Sequence, residues 1–196
     1  MKRLLIATNN AGKVEEFREL LDGCGWQIVA PADIGLALEV EETGATYAEN
    51  AMLKARAFAE ASGLPALADD SGLEVDALNG EPGALHHLNG WDGADQAERI
   101  EILLNALKDV PPEKRTARFR SVIVLAHDAR IDQTEGVCEG VIIDKAFGEG
   151  GFGYDPVFFM PERGSTMAQL TTAEKNEVSH RGIAARKMRS LLQGLA

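Results

Sequence analysis

The sequence has few cysteines, no long apolar run and no excess of positive charge, and each absence excludes a class of protein. Its two cysteines, Cys24 and Cys138, lie far apart and neither belongs to a C-x-x-C pair, so we expect neither a disulfide framework nor a zinc site. No stretch approaches the roughly 18 consecutive apolar residues of a membrane-spanning helix, and the N-terminus lacks the features of a signal peptide. We therefore expect a cytoplasmic protein with two buried thiols and no membrane partner.

Positive charge is scarce in comparison with negative charge. The 196 residues include 20 Lys and Arg against 31 Asp and Glu, which gives a formal net charge of -11. This charge opposes sequence-independent binding to nucleic acid phosphates, so we expect no nucleic acid partner. Any bound phosphate must be held locally, by a few cations, by backbone amides and by a divalent metal that carboxylates can hold.

Apolar residues make up 45% of the sequence, which is enough for a core of ordinary domain size. Their spacing predicts strands over residues 2–7, 26–30, 66–68, 73–77, 118–126 and 136–143, with a tight turn at 69–72, and leaves a further apolar segment over 157–160. Helices are predicted to begin near Lys13, Thr46, Asp95, Thr171 and Ser179. No repeat or long linker interrupts the pattern, so residues 1–196 are predicted to form a single domain of mixed α/β type.

The turn between the first strand and the first helix is the first candidate site. It contains Thr8, Asn9, Asn10, Ala11, Gly12 and Lys13. Free amides at a helix N-terminus attract anions, and the ammonium group of Lys13 adds a full positive charge. The alternative is an ordinary turn with a solvated lysine, because the glycine spacing matches neither the dinucleotide fingerprint nor the P-loop.

Four carboxylates form the second candidate site: Glu41, Glu42, Asp69 and Asp70. Adjacent carboxylates are tolerated at a wet surface, and they are also how proteins hold a hard, oxygen-preferring cation. A plain solvated turn at residues 69–72 is the alternative. Because neighbouring strand residues point to opposite sides, only one of Asp69 and Asp70 is expected to face a ligand.

Two further groups lie near the C-terminus. The first is Phe152, Gly153, Tyr154 and Asp155, and the second is Lys175 with Ser179, His180 and Arg181. Two aromatic rings beside a glycine can stack a flat ligand, although core packing is the alternative. The second group offers hydrogen-bond donors, with an exposed basic helix start as its alternative. All four groups together suit the hydrolysis of a nucleoside triphosphate with a divalent metal.

Five segments of the sequence resemble one known family in their order and spacing: residues 7–13, 41–51, 68–73, 151–156 and 174–182. They are similar to the inosine triphosphate pyrophosphatase family, most closely to its bacterial branch that acts on dITP and XTP. The resemblance extends over nearly the whole chain. It implies an elongated, two-lobed α/β fold, with a mixed sheet, flanking helices and a central substrate cleft, and it implies a homodimer.

The resemblance also implies a reaction and the residues that perform it. A non-standard purine triphosphate (ITP, dITP, XTP or dXTP) reacts with water and Mg²⁺ to give the monophosphate and pyrophosphate, which removes deaminated purines from the nucleotide pool. Glu41 and Asp70 match the metal ligands, Asp70 also matches the general base, and Lys13 stabilises charge on the phosphate. The residues that match substrate contacts are Thr8, Asn9, Asn10, Ala11, Gly12, Lys13, Ser71, Phe152, Gly153, Tyr154, Asp155, Lys175, His180 and Arg181.

Two departures from the family pattern keep other functions open. Residues 82–90 lack an expected arginine and contain His86 and His87 instead, and residues 140–150 form a shortened stretch. One alternative is a pyrophosphatase with a different base preference. The other is a catalytically impaired nucleotide-binding protein, against which the presence of Lys13, Glu41, Asp70 and Lys175 argues.

Overall fold

The fold is built on one seven-stranded mixed sheet. The computed structural model describes residues 2–85, 90–91, 93 and 95–195. The strands are β1 (Arg3–Ile6), β2 (Gln27–Val29), β3 (Ala66–Val75), β4 (Thr116–His127), β5 (Arg130–Ile142), β6 (Phe158–Met160) and β7 (Ser165–Thr166), in the order β2-β1-β3-β4-β5-β6-β7. Strand β1 pairs in parallel with β2 and β3, whereas β6 pairs antiparallel with β5 and β7. The predicted α/β class with a mixed sheet is confirmed.

The described residues form five α-helices: α1 (Ala11–Leu20), α2 (Tyr47–Ser62), α3 (Gln96–Ala106), α4 (Thr172–Val178) and α5 (His180–Leu195). Helix α2 begins after Thr46, as predicted. A capping box forms there, in which the Thr46 hydroxyl accepts from the Glu49 amide at 3.2 Å and the Glu49 carboxylate accepts from the Thr46 amide at 3.1 Å. It ends at Gly63, whose φ of 67° is the left-handed conformation that glycine adopts without strain. None of the helices in the described part of the chain combines the length and the apolar character that a membrane crossing requires.

The chain divides into two compact units. The first unit contains Met1–Ser71, Ser121–Gly136 and Arg181–Ala196, and the second contains Gly72–Arg120 and Val137–His180. Each unit has its own apolar core. Buried side chains of the first core include Phe17, Leu21, Ile123 and Met188, and those of the second include Leu73, Leu103, Phe119 and Phe158. Both cysteines are buried and free, as predicted.

Strand β3 shows that the predicted turn at residues 69–72 is wrong. It runs unbroken from Ala66 to Val75, so that Asp69 and Asp70 lie in the interior of a strand. Consecutive polar residues followed by glycine are typical of turns. Here, however, cations from elsewhere in the chain neutralise both carboxylates, as described below. The spacing of apolar residues carries no information about such distant partners. The sequence therefore predicts two short strands where the structure has one.

Strand β5 is longer than the predicted strand over residues 136–143, because it begins at Arg130. Its first half is polar and therefore lacks the apolar pattern of a strand. Within the first unit, Thr134 Oγ1 donates to the Ala184 carbonyl at 3.0 Å, and Lys187 Nζ donates to the Glu135 carbonyl at 2.7 Å. The end of β5 at the shortened stretch pairs with β6. Residues 86–89 of the altered loop lie outside the described residues.

Candidate active site

The turn between β1 and α1 directs Lys13 towards β3. Asn10 caps α1, because its Oδ1 accepts from the Lys13 backbone amide at 3.1 Å, and Thr8 Oγ1 accepts from the Asn10 amide at 3.2 Å. These two bonds fix the turn. Lys13 Nζ lies 2.8 Å from Asp69 Oδ2, and 17% of the Lys13 side chain is exposed. Lys13 is therefore ion-paired and half-buried, whereas Asn9, Asn10, Ala11 and Gly12 are exposed.

Asp69 is a buried anion held by several cations and hydroxyl groups. Besides Lys13, the guanidinium of Arg181 donates to Asp69 Oδ2 from Nε at 3.2 Å and from Nη2 at 3.1 Å. Ser121 Oγ donates to Asp69 Oδ1 at 2.6 Å. Burial by itself would raise the pKa of Asp69, but the charges of Arg181 and Lys13 hold that pKa well below its usual value. Asp69 is thus ionised and fully occupied by internal partners.

Arg181 is almost fully buried within the first unit, at 1% exposure. Its guanidinium also contacts Glu16 Oε2 at 2.7 Å and Ser71 Oγ at 2.9 Å. Arg181 thus joins α1, β3 and α5 through one buried network. Its predicted contact with substrate, and that of Ser71, stay predictions.

Asp70 lies on the opposite face of β3 from Asp69 and has different partners. Lys54 of α2 places its Nζ 3.0 Å from Asp70 Oδ1 and 3.0 Å from Glu42 Oε2. Burial raises the pKa of Asp70 to about 6, and the charge of Glu42 adds to this effect while that of Lys54 opposes it. Asp70 is therefore a carboxylate whose proton affinity suits proton transfer near neutral pH.

Residues 38–44, which we call the carboxylate segment, carry Glu41 and Glu42 and have no helical or strand structure. The structure brings Glu42 to the Lys54 ammonium shared with Asp70. The neighbouring Glu41, which was predicted as a metal ligand, is exposed. Its assignment stays a prediction, and the geometry of the described residues adds Glu42 as a second candidate on the same segment.

A cavity of about 440 Å³ in the first unit is lined both by the turn between β1 and α1, which we call the phosphate turn, and by charged side chains described above. Its lining includes Thr8, Asn9, Asn10, Lys13, Glu42 and Lys54. The turn and the two lysines therefore open onto the same space. A triphosphate is highly charged, and a concave site lined by two ammonium groups and a helix N-terminus suits such an anion.

The aromatic turn of the second unit is organised by Asp155. Asp155 Oδ2 accepts from the Phe152 amide at 3.0 Å and lies 2.8 Å from Lys175 Nζ. The Lys175 ammonium also lies 4.7 Å from the centre of the Phe152 ring, a cation–π contact. Gly151 is required beside them, because a Cβ at this position would stand 2.0 Å from Asp155 Oδ2 and its φ is +71°.

The two aromatic residues of this turn have different surroundings. Phe152 is 38% exposed, which leaves a ring face for a ligand, whereas Tyr154 packs against the second core. His180 is buried and stacks on Phe119 with 4.9 Å between ring centres and 16° between ring planes. The stack fixes the plane of the imidazole. Phe152, Asp155, Lys175 and His180 thus all belong to the second unit.

Lys54 is the main residue that the sequence-based site assignment left out. Lys54 had a detectable signal. It follows Asn50 by four residues on the buried face of α2, between Ala51 and Phe58, and a lysine at such a position requires an anionic partner. Glu42 was one of the four candidate carboxylates, but the resemblance assigned the metal to Glu41, and an irregular segment has no periodicity from which to choose between two adjacent glutamates.

The donor chemistry around Asp70 fits a magnesium ion. Among the described residues no group of three or more His, Cys, Asp and Glu side chains lies in position to hold a metal. Magnesium is commonly bound by one or two carboxylates together with substrate phosphates rather than by a protein cage. Asp70 and Glu42 already share one cationic group, the Lys54 ammonium. Two carboxylate oxygens around one cationic position, with Glu42 and Lys54 lining the cavity, match that mode of binding.

The chain is similar to known proteins over nearly its whole length. The Ham1 family model matches residues 4–191. A dITP/XTP pyrophosphatase of Desulforamulus reducens is 50% identical over 194 residues, which cover 98% of this chain and 96% of that protein. The dITP/XTP pyrophosphatase of Bacillus subtilis is 44% identical over 194 residues and covers 98% of each chain.

Solved structures show the same similarity. A HAM1 protein from Coxiella burnetii has a TM-score of 0.89 and 39% identity, and the alignment covers 99% of this chain and all (100%) of that one. A nucleoside-triphosphatase, or dITP/XTP pyrophosphatase, from Mycobacterium abscessus has a TM-score of 0.75 with 39% identity, over 97% of this chain and 98% of that one. The family resemblance inferred from the five sequence segments is confirmed.

Proposed function

This chain belongs to the Ham1 family, and we propose that it hydrolyses the non-standard purine triphosphates ITP, dITP, XTP and dXTP to monophosphate and pyrophosphate. Such an enzyme cleanses the nucleotide pool of deaminated purines. The observation that carries the proposal is that Lys13, paired with Asp69, and Lys54, paired with Asp70 and Glu42, line the same cavity. This arrangement supplies cations for a phosphate chain and a carboxylate for activating water.

The triphosphate binds at the turn before α1. The exposed N-terminal end of this helix attracts negative charge, and Lys13 and Lys54 contribute two ammonium groups that line the cavity. Each lysine already interacts with a carboxylate, so its ammonium group is held in place before substrate arrives. Such pre-organised charge stabilises the negative charge that develops on phosphate oxygens during the reaction.

Asp70 acts as the general base. With its pKa raised to about 6, its carboxylate is ionised at neutral pH and retains enough proton affinity to accept a proton from water. The water oxygen bonds to the α-phosphorus, the bond from that phosphorus to the bridging oxygen breaks, and pyrophosphate leaves with the bond electrons. The proton from water is held on Asp70.

Mg²⁺ is the cofactor that we propose for this reaction. Asp70 would hold it together with Glu41, as the family resemblance implies, or with Glu42, whose contact with Lys54 supports it as the alternative. When bound, Mg²⁺ neutralises charge on the phosphate oxygens and on the departing pyrophosphate. Lys54 can pair with phosphate oxygens when its carboxylate partners bind the metal.

For the purine base, the family resemblance points to Phe152 and His180. The exposed ring of Phe152 offers a stacking surface, and His180 offers a donor for the 6-keto oxygen of hypoxanthine or xanthine. Adenine carries an amino group at that position, so a site that donates a hydrogen bond there selects against ATP. Lys175, held by Asp155, supplies a further cation near Phe152.

Assembly and location complete the proposal. We propose a cytoplasmic homodimer whose partner is a small nucleotide rather than a nucleic acid or a membrane. The family resemblance supports the dimer. The net charge of -11 supports a preference for a locally held nucleotide over extended nucleic acid.

Product analysis tests the proposed reaction directly. With Mg²⁺, the protein is expected to release pyrophosphate and the monophosphate from ITP and XTP, with much slower turnover of dGTP and ATP. Separation of products by anion-exchange chromatography distinguishes pyrophosphate from orthophosphate. Orthophosphate as the first product would place cleavage at another phosphorus and contradict the proposal.

Replacement of His180 tests the proposed base recognition. The substitution His180→Ala removes one donor, so the ratio of kcat/KM for ITP to that for ATP should fall by about 10-fold, the effect of one hydrogen bond. His127→Ala, which changes a histidine of the first unit, serves as the control. An unchanged ratio in the His180 variant would remove this side chain from base selection.

A further inference from the structure

The carboxylate segment depends on side chains for its position, because residues 38–44 have no helical or strand structure. Two asparagine amides contact its backbone. Asn9 Nδ2 donates to the Leu38 carbonyl at 2.9 Å, and Asn50 Oδ1 accepts from the Gly44 amide at 2.7 Å. The two contacts lie at opposite ends of the segment. The glutamates that the proposed function assigns to metal binding lie between them.

The contact at Gly44 is unusually close. A Cβ added to Gly44 would stand 2.6 Å from Glu49 Cβ and 2.7 Å from Asn50 Oδ1. Only a residue without a side chain lets the backbone of the segment approach the start of α2 in this way. The contact between the segment and α2 therefore needs both the hydrogen bond from the Gly44 amide to Asn50 and the absence of a Cβ at residue 44.

Asn50 itself is fully buried at 0% exposure, and its Nδ2 has no hydrogen-bond partner among the described residues. A buried donor without a partner is costly and rare. The hydrogen bond that Asn50 Oδ1 accepts from the Gly44 amide therefore offsets the cost of burying Nδ2 without a partner. The same face of α2 carries Lys54 four residues later, and Lys54 Nζ contacts Glu42 at 3.0 Å.

We propose that Asn50 is a positioning residue, which sets the carboxylate segment so that its glutamates and Asp70 converge on one cation. Asn9, in the turn between β1 and α1, holds the other end of the segment. This contact couples the proposed phosphate site to the proposed metal site. This inference rests on the proposed function. Residues that orient metal ligands typically change metal affinity by about 10- to 100-fold when they are replaced.

Two variants break the same contact by different chemistry. Asn50→Ala removes the acceptor for the Gly44 amide, and Gly44→Ala introduces a Cβ into the space of Asn50 Oδ1. The matched controls are Asn105→Ala, at an exposed position of α3, and Gly194→Ala, where a Cβ would meet nothing within 4 Å. The probe is Mn²⁺, added with an ITP analogue whose α–β bridging oxygen is replaced by methylene, and free Mn²⁺ is measured by electron paramagnetic resonance.

We expect the Kd for Mn²⁺ to rise at least about 10-fold in both test variants and to stay unchanged in both controls. Hydrogen exchange followed by mass spectrometry should show faster exchange in residues 38–44 alone. Wild-type Kd values in the two folded variants would overturn the positioning role, and so would faster exchange throughout the chain. If the wild-type protein neither binds Mn²⁺ with the analogue nor hydrolyses ITP, the proposed function fails, and this inference fails with it.

Discussion

Replacing Asp70 with asparagine is expected to lower kcat for ITP by about 10²- to 10⁴-fold, the usual contribution of a positioned general base. The amide has the size of the carboxylate but cannot accept a proton from water at neutral pH. It is also a poorer ligand for magnesium. Lys54 keeps its partner Glu42, so the variant should fold. Pyrophosphate release at saturating ITP and Mg²⁺ gives kcat, and thermal unfolding followed by circular dichroism checks the fold.

A surface aspartate of the same unit provides the control for this measurement. Asp22 is exposed just after α1, and Asp22→Asn removes an equal charge without touching the cavity. This variant should keep the wild-type kcat. A kcat close to wild type in Asp70→Asn would contradict the assignment of Asp70 as the base.

Replacing Asp69 with asparagine is expected to affect stability more than any other single change in the site. The substitution leaves the charges of Arg181 and Lys13 beside a neutral amide in a buried position. Removing one partner of a buried ion pair costs about 3–5 kcal/mol of unfolding free energy, and we expect about 3 kcal/mol here because Glu16 still pairs with Arg181. Urea denaturation measures the difference. Glu15→Gln, which breaks an exposed pair with Arg18, should cost less than about 1 kcal/mol.

The pH dependence of the Asp69 effect has a definite sign. The pKa of Asp69 is lowered in the folded state relative to its unfolded value near 3.8. Its ion pairs therefore stabilise the fold at any pH above that value, and the stabilisation is lost as pH falls through the lowered pKa. The difference in unfolding free energy between wild type and Asp69→Asn should be constant above about pH 5 and should narrow in acid. A difference that widens as pH falls would contradict the ion-paired role of Asp69.

The sequence predicts much of the fold because most elements have local signals. The capping box at Thr46, the glycine stop at Gly63 and the apolar spacing of α1 each depend on residues within a few positions of one another. The interactions that start and end these helices are therefore visible in the sequence itself. The predicted turn at residues 69–72 is wrong because its signal is not local. Two aspartates in the interior of β3 are neutralised by Lys13, Lys54 and Arg181 from distant parts of the chain.

The candidate site divides in the same way. The phosphate turn, Asp70 and Lys175 are recognisable from motifs, and the structure adds their partners, which lie far away in sequence. Lys54 follows from a charged residue on a buried helix face once the helix is known. The choice between Glu41 and Glu42 and the role of Asn50 depend on the path of an irregular segment, which no periodicity specifies.

The unbroken run of β3 through Asp69 and Asp70 makes this part of the chain intolerant of insertions and deletions. Alternate side chains of a strand face opposite sides, so a shift of one residue ahead of Asp69 would exchange the two aspartates. Asp70, the proposed catalytic base, would then face Arg181, and Asp69, on which folding depends, would face the side of β3 that Lys54 contacts. A single missing codon in β3 should therefore destroy both properties at once.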